Sequence, residues 1–146
     1  MEIYTDGGCH GNPGPGAWAF IIVENNEKTA EQCGFEAATT NNRMELMAVI
    51  GALEVIKTIR KNADFSVFTD SQYVLKGITQ WIHSWNAKGW VTSNKKPVKN
   101  QDLWQKLDVL TAETKPKWVW VKGHAGNSWN ELCDSMVKKA IAGMNN

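Results

Sequence analysis

Two short β-prone runs of this chain each end in Thr-Asp: Ile3-Tyr4-Thr5-Asp6 and Val67-Phe68-Thr69-Asp70. A carboxylate at the end of a buried strand needs a local partner, because an unpaired charge is costly to remove from water. Two further acids stand in equally pointed settings, Glu45 in Asn41-Asn42-Arg43-Met44-Glu45-Leu46 and Asp134 in Asn130-Glu131-Leu132-Cys133-Asp134. If the fold gathers all four, they repel one another unless a counter-charge joins them. An all-oxygen cluster selects a hard cation, Mg²⁺ or Mn²⁺. Separated acids converging on a pair of such ions are apparatus for phosphoryl transfer on a nucleic acid. Singly, each acid is as well explained by a cap, a turn or the helix dipole; the argument rests on their convergence.

Other residues fit the same chemistry. His124 lies in Lys122-Gly123-His124-Ala125-Gly126-Asn127, directly after a β-prone run. An imidazole between glycines can swing and move a proton near neutral pH. Trp81 and Trp85 stand four apart, with Trp90 and Trp104 near them in sequence. Residues 86–99 carry Lys88, Lys95, Lys96 and Lys99 and no acid, and aromatics beside lysines suit a nucleic-acid backbone. Trp18, Trp118 and Trp120 read as core, and His10 and His83 as structural. The glycine-rich stretch 7–16 matches neither dinucleotide nor P-loop spacing, so no nucleotide cofactor is expected.

The elements must bring these side chains together. Residues 1–6 read as a strand, 7–16 as a turn segment, 17–23 as a second strand, and 28–38 contain a third, giving an antiparallel meander. From Arg43 to Arg60, Met44, Met47, Ile50 and Leu53 recur at helical spacing, with Asn41 or Asn42 as the N-cap. Residues 65–69 form a strand and Ser71 to Gly77 begin a helix. Strand, long crossover, strand implies a parallel pair, which places Asp6 and Asp70 at one sheet edge. Residues 80–90 and 100–112 read as helical, 117–121 as a strand, and 128–142 as a last helix.

The chain of 146 residues fits one domain, and no repeat or linker divides it. No apolar run reaches the ~18 residues of a membrane span, and the N-terminus does not read as a signal peptide. Three cysteines without a Cys-x-x-Cys pair suit reduced thiols in the cytoplasm. The net charge of +1 hides an asymmetry. Residues 1–75 hold 5 Lys or Arg and 10 acids, whereas residues 76–146 hold 11 Lys and 5 acids. That division suits a polyanion held across a cation site.

With these residues in hand, the chain resembles the bacterial type 1 ribonucleases H, which cut the RNA strand of RNA–DNA hybrids. The resemblance covers nearly the whole length. It rests on Tyr-Thr-Asp-Gly with Gly-Asn-Pro-Gly-Pro-Gly, Thr-Asn-Asn-Arg-Met-Glu-Leu, Thr-Asp-Ser-Gln-Tyr-Val, Gly-Ile-Thr-Gln-Trp-Ile, Lys-Lys-Pro-Val-Lys-Asn and Val-Lys-Gly-His-Ala-Gly. It implies an α/β, ribonuclease H-like fold: a five-stranded mixed sheet, three strands antiparallel with further parallel pairing, flanked by helices in a single domain, 1–146. It implies two Mg²⁺ ions, with Mn²⁺ as an alternative, held by Asp6, Glu45, Asp70 and Asp134. Asp6 would bridge them, and His124 would assist. Thr40 and Asn100 match positions that hold a DNA phosphate, with Asn41 and Asn42 beside Thr40. Cys9, Asn12 and Gln72 match residues along the RNA strand. Trp81, Trp85, Lys88, Lys96, Lys99 and Trp104 fall in or beside the basic protrusion that grips DNA. A monomer with little base specificity, leaving 5′-phosphate and 3′-hydroxyl ends, is expected.

Two departures stand out. Ala38 occupies a position where the family often has an arginine, two residues before the phosphate-binding Thr40, and Asn86 and Ala87 replace common basic residues of the protrusion. With no extra hybrid-binding domain expected, both should weaken substrate binding, more so at high salt.

Overall fold

A computed structural model describes residues 1–59, 64–92, 94–122 and 128–144. Its strands are β1 (Glu2–Cys9), β2 (Gly14–Glu24), β3 (Glu27–Thr39), β4 (Ser66–Thr69) and β5 (Lys117–Trp120). Its helices are α1 (Asn41–Ile59), α2 (Gln72–Lys76), α3 (Ile82–Ala87), α4 (Gln101–Thr114) and α5 (Ser128–Met144), with a π-helical turn, Gly77–Trp81, joining α2 to α3. The five strands form one mixed sheet in the order β3-β2-β1-β4-β5. β1, β2 and β3 are antiparallel neighbours, while β1–β4 and β4–β5 are parallel.

β1 alternates in the way a covered strand should. Ile3 packs into the α1 side with Phe20, Ile22, Leu46, Val49, Leu53 and Ile56, whereas Tyr4 joins Ile21, Val23 and Cys133 on the α5 side. Because both faces are covered, β2 buries a continuous run from Ala19 to Val23. β3 is the opposite case, an outer strand whose exposed Glu27, Lys28, Glu31, Gln32 and Glu36 discourage pairing with another chain. α4 closes the α1 side by burying Trp104, Leu107 and Leu110, three residues at helical spacing.

The architecture matches the expectation, with local corrections. β1 continues to Cys9, so Asp6 lies inside a strand rather than at its end. The expected turn segment 7–16 shrinks to the residues between Cys9 and Gly14. Helix α1 starts at Asn41, so neither asparagine is its N-cap. Thr40 is, its Oγ1 accepting from the Arg43 N–H at 3.3 Å. The two helical pieces expected at 71–77 and 80–90 are one run from Gln72 to Ala87, continued through the π turn. Trp120 is 46% exposed rather than core.

Candidate active site

The acids meet because β1 outruns one neighbour. It pairs with β2 as far as Cys9, but with β4 only as far as Tyr4↔Phe68. β4 stops at Thr69, and the parallel offset carries Asp70 alongside Asp6 just beyond the ladder. Glu45 comes from the second turn of α1, which crosses β1 at Gly7. A Cβ there would sit on the backbone of Met44 and Glu45, so only glycine lets the helix approach this closely. Carboxylate oxygens of Asp6, Glu45 and Asp70 all lie within 4.8 Å of one another. Asp134, one residue after the buried Cys133 of α5, shares a hydrogen bond with Asp6. It also pairs with Lys138, one turn on, at 3.0 Å.

Electrostatics follow from this crowding. Burial, then the charges of Asp70 and Asp134, push Asp6 up to about 8; the Gly7 N–H pulls the other way. Glu45 rises well above the usual carboxylate range through burial and then its neighbours Asp6 and Asp70. Its Oε2 is shut off from water and has no hydrogen-bond partner among the described residues. An orphaned, buried carboxylate oxygen in an all-carboxylate donor set fits a hard divalent cation at this point. The acids open onto a cavity of about 490 Å³, which Cys9, Asn41, Asn42 and Gln72 also line.

Next to the acids lies a polar corner of a different kind. Arg43 forms a two-pronged pair with Asp102, Nη1–Oδ1 at 3.1 Å and Nη2–Oδ2 at 2.9 Å, and Nη1 also donates to Asn100 Oδ1 at 3.2 Å. Asn100 Nδ2 donates to the Tyr73 hydroxyl at 3.1 Å, as does Trp104 Nε1 at 2.9 Å. Asn12 Oδ1 accepts from the Asn41 N–H at 3.1 Å, tying the β1–β2 turn to the start of α1. Cys9 Sγ lies 3.2 Å from the Thr39 carbonyl and 3.3 Å from that of Gly14, so its thiol is turned to backbone.

The comparisons agree with this geometry. The family model described as RNase H matches residues 1–142. This chain belongs to the ribonuclease H family. Ribonuclease H of Treponema denticola is 53% identical over 157 aligned positions, covering 99% of this chain and 98% of that protein. Among solved structures, LC9-RNase H1, a type 1 enzyme with the type 2 active-site motif, superposes with TM-score 0.79 at 32% identity, over 97% of this chain and 72% of that one. LC11-RNase H1 in complex with an RNA/DNA hybrid superposes with TM-score 0.74 at 27% identity, over 99% of each.

Within this ribonuclease H, the aromatic residues separate into two sets. Trp81 and Trp85 are half-buried with ring centroids 5.8 Å apart, and Lys88, Lys96 and Lys99 are exposed on the segment that follows. Trp104 is different. It is fully buried in the core, its ring filling the space that Gly77 leaves open, so it cannot touch a nucleic acid. It holds Trp85 from behind, at 5.4 Å between ring centroids. Its burial was readable in the Trp104, Leu107, Leu110 spacing, which outweighs its nearness to lysines in sequence.

His124 falls outside the described residues. Ala38 is exposed at the end of β3. Sequence reasoning missed Tyr73, Asp102 and Lys138. Lys138 was visible as the i+4 partner of Asp134; the Arg43–Asp102 pair spans 59 positions and leaves no local signal.

Proposed function

We propose that this ribonuclease H hydrolyses the RNA strand of RNA–DNA hybrids as a cytoplasmic monomer, with Mg²⁺ in the acidic pocket, and leaves 5′-phosphate and 3′-hydroxyl ends. One observation carries the reading: three carboxylates within 4.8 Å of one another, one of them with a buried, unpartnered oxygen. Asp6, Glu45 and Asp70 would hold one ion, and Asp6 with Asp134 a second, with Mn²⁺ as an alternative metal. Two such ions supply an activated water and charge stabilisation at the leaving oxygen.

The chain's own residues do the remaining work. Asp6 and Glu45 give up the protons that crowding holds on them, and metal binding competes with those protons. Thr40, with Asn41, Asn42 and Asn100, seats a DNA phosphate, while Cys9, Asn12 and Gln72 border the RNA strand. Trp81, Trp85, Lys88, Lys96 and Lys99 grip the DNA backbone, and His124 moves a proton for the leaving oxygen. Selectivity for RNA comes from its 2′-hydroxyls. Base identity matters little, since the contacts in this reading go to phosphates and sugars rather than to base edges.

The test uses a labelled RNA–DNA hybrid, a DNA duplex and an RNA duplex, each with Mg²⁺ and with EDTA. Cutting confined to the hybrid's RNA strand, and only with metal, is expected. Cutting of the DNA duplex, or undiminished cutting in EDTA, overturns the reading.

A further inference from the structure

Tyr73 stands at the junction of the two polar regions. Its side chain lines the acid cavity, while its hydroxyl takes hydrogen bonds from Asn100 Nδ2 at 3.1 Å and Trp104 Nε1 at 2.9 Å. Indole N–H is a donor only, so the Trp104 bond has one direction. The Asn100 bond is equally fixed. Arg43 has no acceptor atom, so Asn100 must turn Oδ1 to Arg43 and its NH₂ group to Tyr73. The phenol oxygen therefore receives two N–H bonds. Its own hydrogen remains, and among the described residues no acceptor is paired with it.

We propose that Tyr73 is a substrate-binding residue, donating its hydroxyl hydrogen to the same DNA phosphate that Asn100 contacts. This rests on the hybrid reading above. Asn100 has one N–H committed to Tyr73, and among the described residues no acceptor is paired with the second, so the amide and the phenol present adjacent donors to a single anion. A phosphate oxygen is a strong charged acceptor for both. The arrangement also bears on Ala38. Arg43 is the nearby cation, but its guanidinium is occupied by Asp102 and Asn100 and is half-buried, so it does not stand in for the missing arginine. Neutral donors held in place serve this corner instead. Two rings pack against Tyr73, Trp104 at 5.3 Å and Trp81 at 5.8 Å between centroids, and fix the direction of the phenol.

The experiment measures hybrid affinity by fluorescence anisotropy with Ca²⁺ in place of Mg²⁺, so that binding is read without cleavage. A series of hybrids carries one methylphosphonate each, stepped along the DNA strand, which removes one charged acceptor at a time. For the native protein, one position should weaken binding most. Tyr73→Phe should bind the unmodified hybrid about ten- to a hundredfold more weakly, as loss of one hydrogen bond to a charged group does, with KM raised and kcat little changed. At the sensitive position that difference should vanish. A Tyr73→Phe protein that binds all hybrids as the native protein does overturns the proposal. So does a weakening that persists in full on every methylphosphonate hybrid, which marks a general structural defect. If Tyr73→Phe does not fold, the double variant Thr40→Ala, Asn100→Ala decides. A residual methylphosphonate effect at the sensitive position supports Tyr73, and its complete loss overturns it. Failure of the hybrid reading itself looks different: the native protein then shows no preference for hybrid over DNA duplex.

Discussion

The acid pocket and the Arg43–Asp102–Asn100–Tyr73 corner adjoin one another and are built on opposite principles. In the pocket, like charges are forced together, one carboxylate oxygen is left without a partner, and protons are retained to relieve the repulsion. In the corner, charges alternate: Arg43 holds Asp102 below the usual carboxylate range, and Asp102 in turn raises Arg43. One region lowers the stability of the metal-free fold and waits for a ligand. The other is self-sufficient and is there to keep donors in position. A site that binds a cation and a polyanion side by side needs both kinds.

The sharpest way to break this contrast is to remove a charge from each region. Asp70→Asn should lower hybrid cleavage by on the order of 10³-fold or more, the scale on which a preorganised charge-stabilising group acts. Its melting temperature in EDTA should match or exceed that of the native protein. A large fall in EDTA would make Asp70 a structural residue instead.

The pH dependence follows from the same crowding. Asp6 keeps its proton to about pH 8 in the folded, metal-free chain, against 3.8 as its ordinary value. The folded state therefore binds more protons across that interval. Stability from this group is fully present below about pH 4 and is lost as pH rises through 8. Glu45 acts in the same direction. Thermal melts in EDTA should show the native protein losing ground to Asp6→Asn as pH rises, and the stabilisation by Mg²⁺ growing over the same range. An equal difference at pH 5 and pH 8 contradicts the mechanism.

Smaller effects sharpen the phosphate side. Ala38→Arg should lower KM and steepen the dependence of log affinity on log salt by about 0.9, the share of one phosphate contact. Identical slopes would place residue 38 away from the DNA. Asp102→Asn frees Arg43, and because the pair is partly exposed it should reduce stability by about 1 kcal/mol or less in denaturant melts. Lys138→Gln should tighten Mg²⁺ a few-fold by calorimetry, since Lys138 is 71% exposed and competes only weakly for Asp134.

Much of the pocket was legible because each of its acids stands in a telling local setting. Thr-Asp after a short apolar run, an acid near the start of a long amphipathic helix, and an acid beside a buried cysteine each point inward. The parallel pairing of the runs around Tyr4 and Phe68 could be inferred from the crossover between them. Local pattern does not carry how far an element runs past its neighbour, so Asp6 was expected at the end of β1 rather than inside it. Nor does it carry long-range partnerships. Tyr73 and Asn100 are 27 positions apart and Arg43 and Asp102 are 59, and the second pair meets only once α4 is laid against α1. Trp104 shows the remaining failure, where neighbours in sequence were weighed above the spacing that buries it.

The central claim is that Asp6, Glu45, Asp70 and Asp134 form one cation-binding pocket. Anomalous diffraction from a crystal of the protein with Mn²⁺ and a non-cleavable hybrid tests it most directly. Two peaks are predicted, one bounded by Asp6, Glu45 and Asp70 and the other by Asp6 and Asp134. Manganese absent from these carboxylates at saturating concentration, or bound only elsewhere on the surface, would contradict the account.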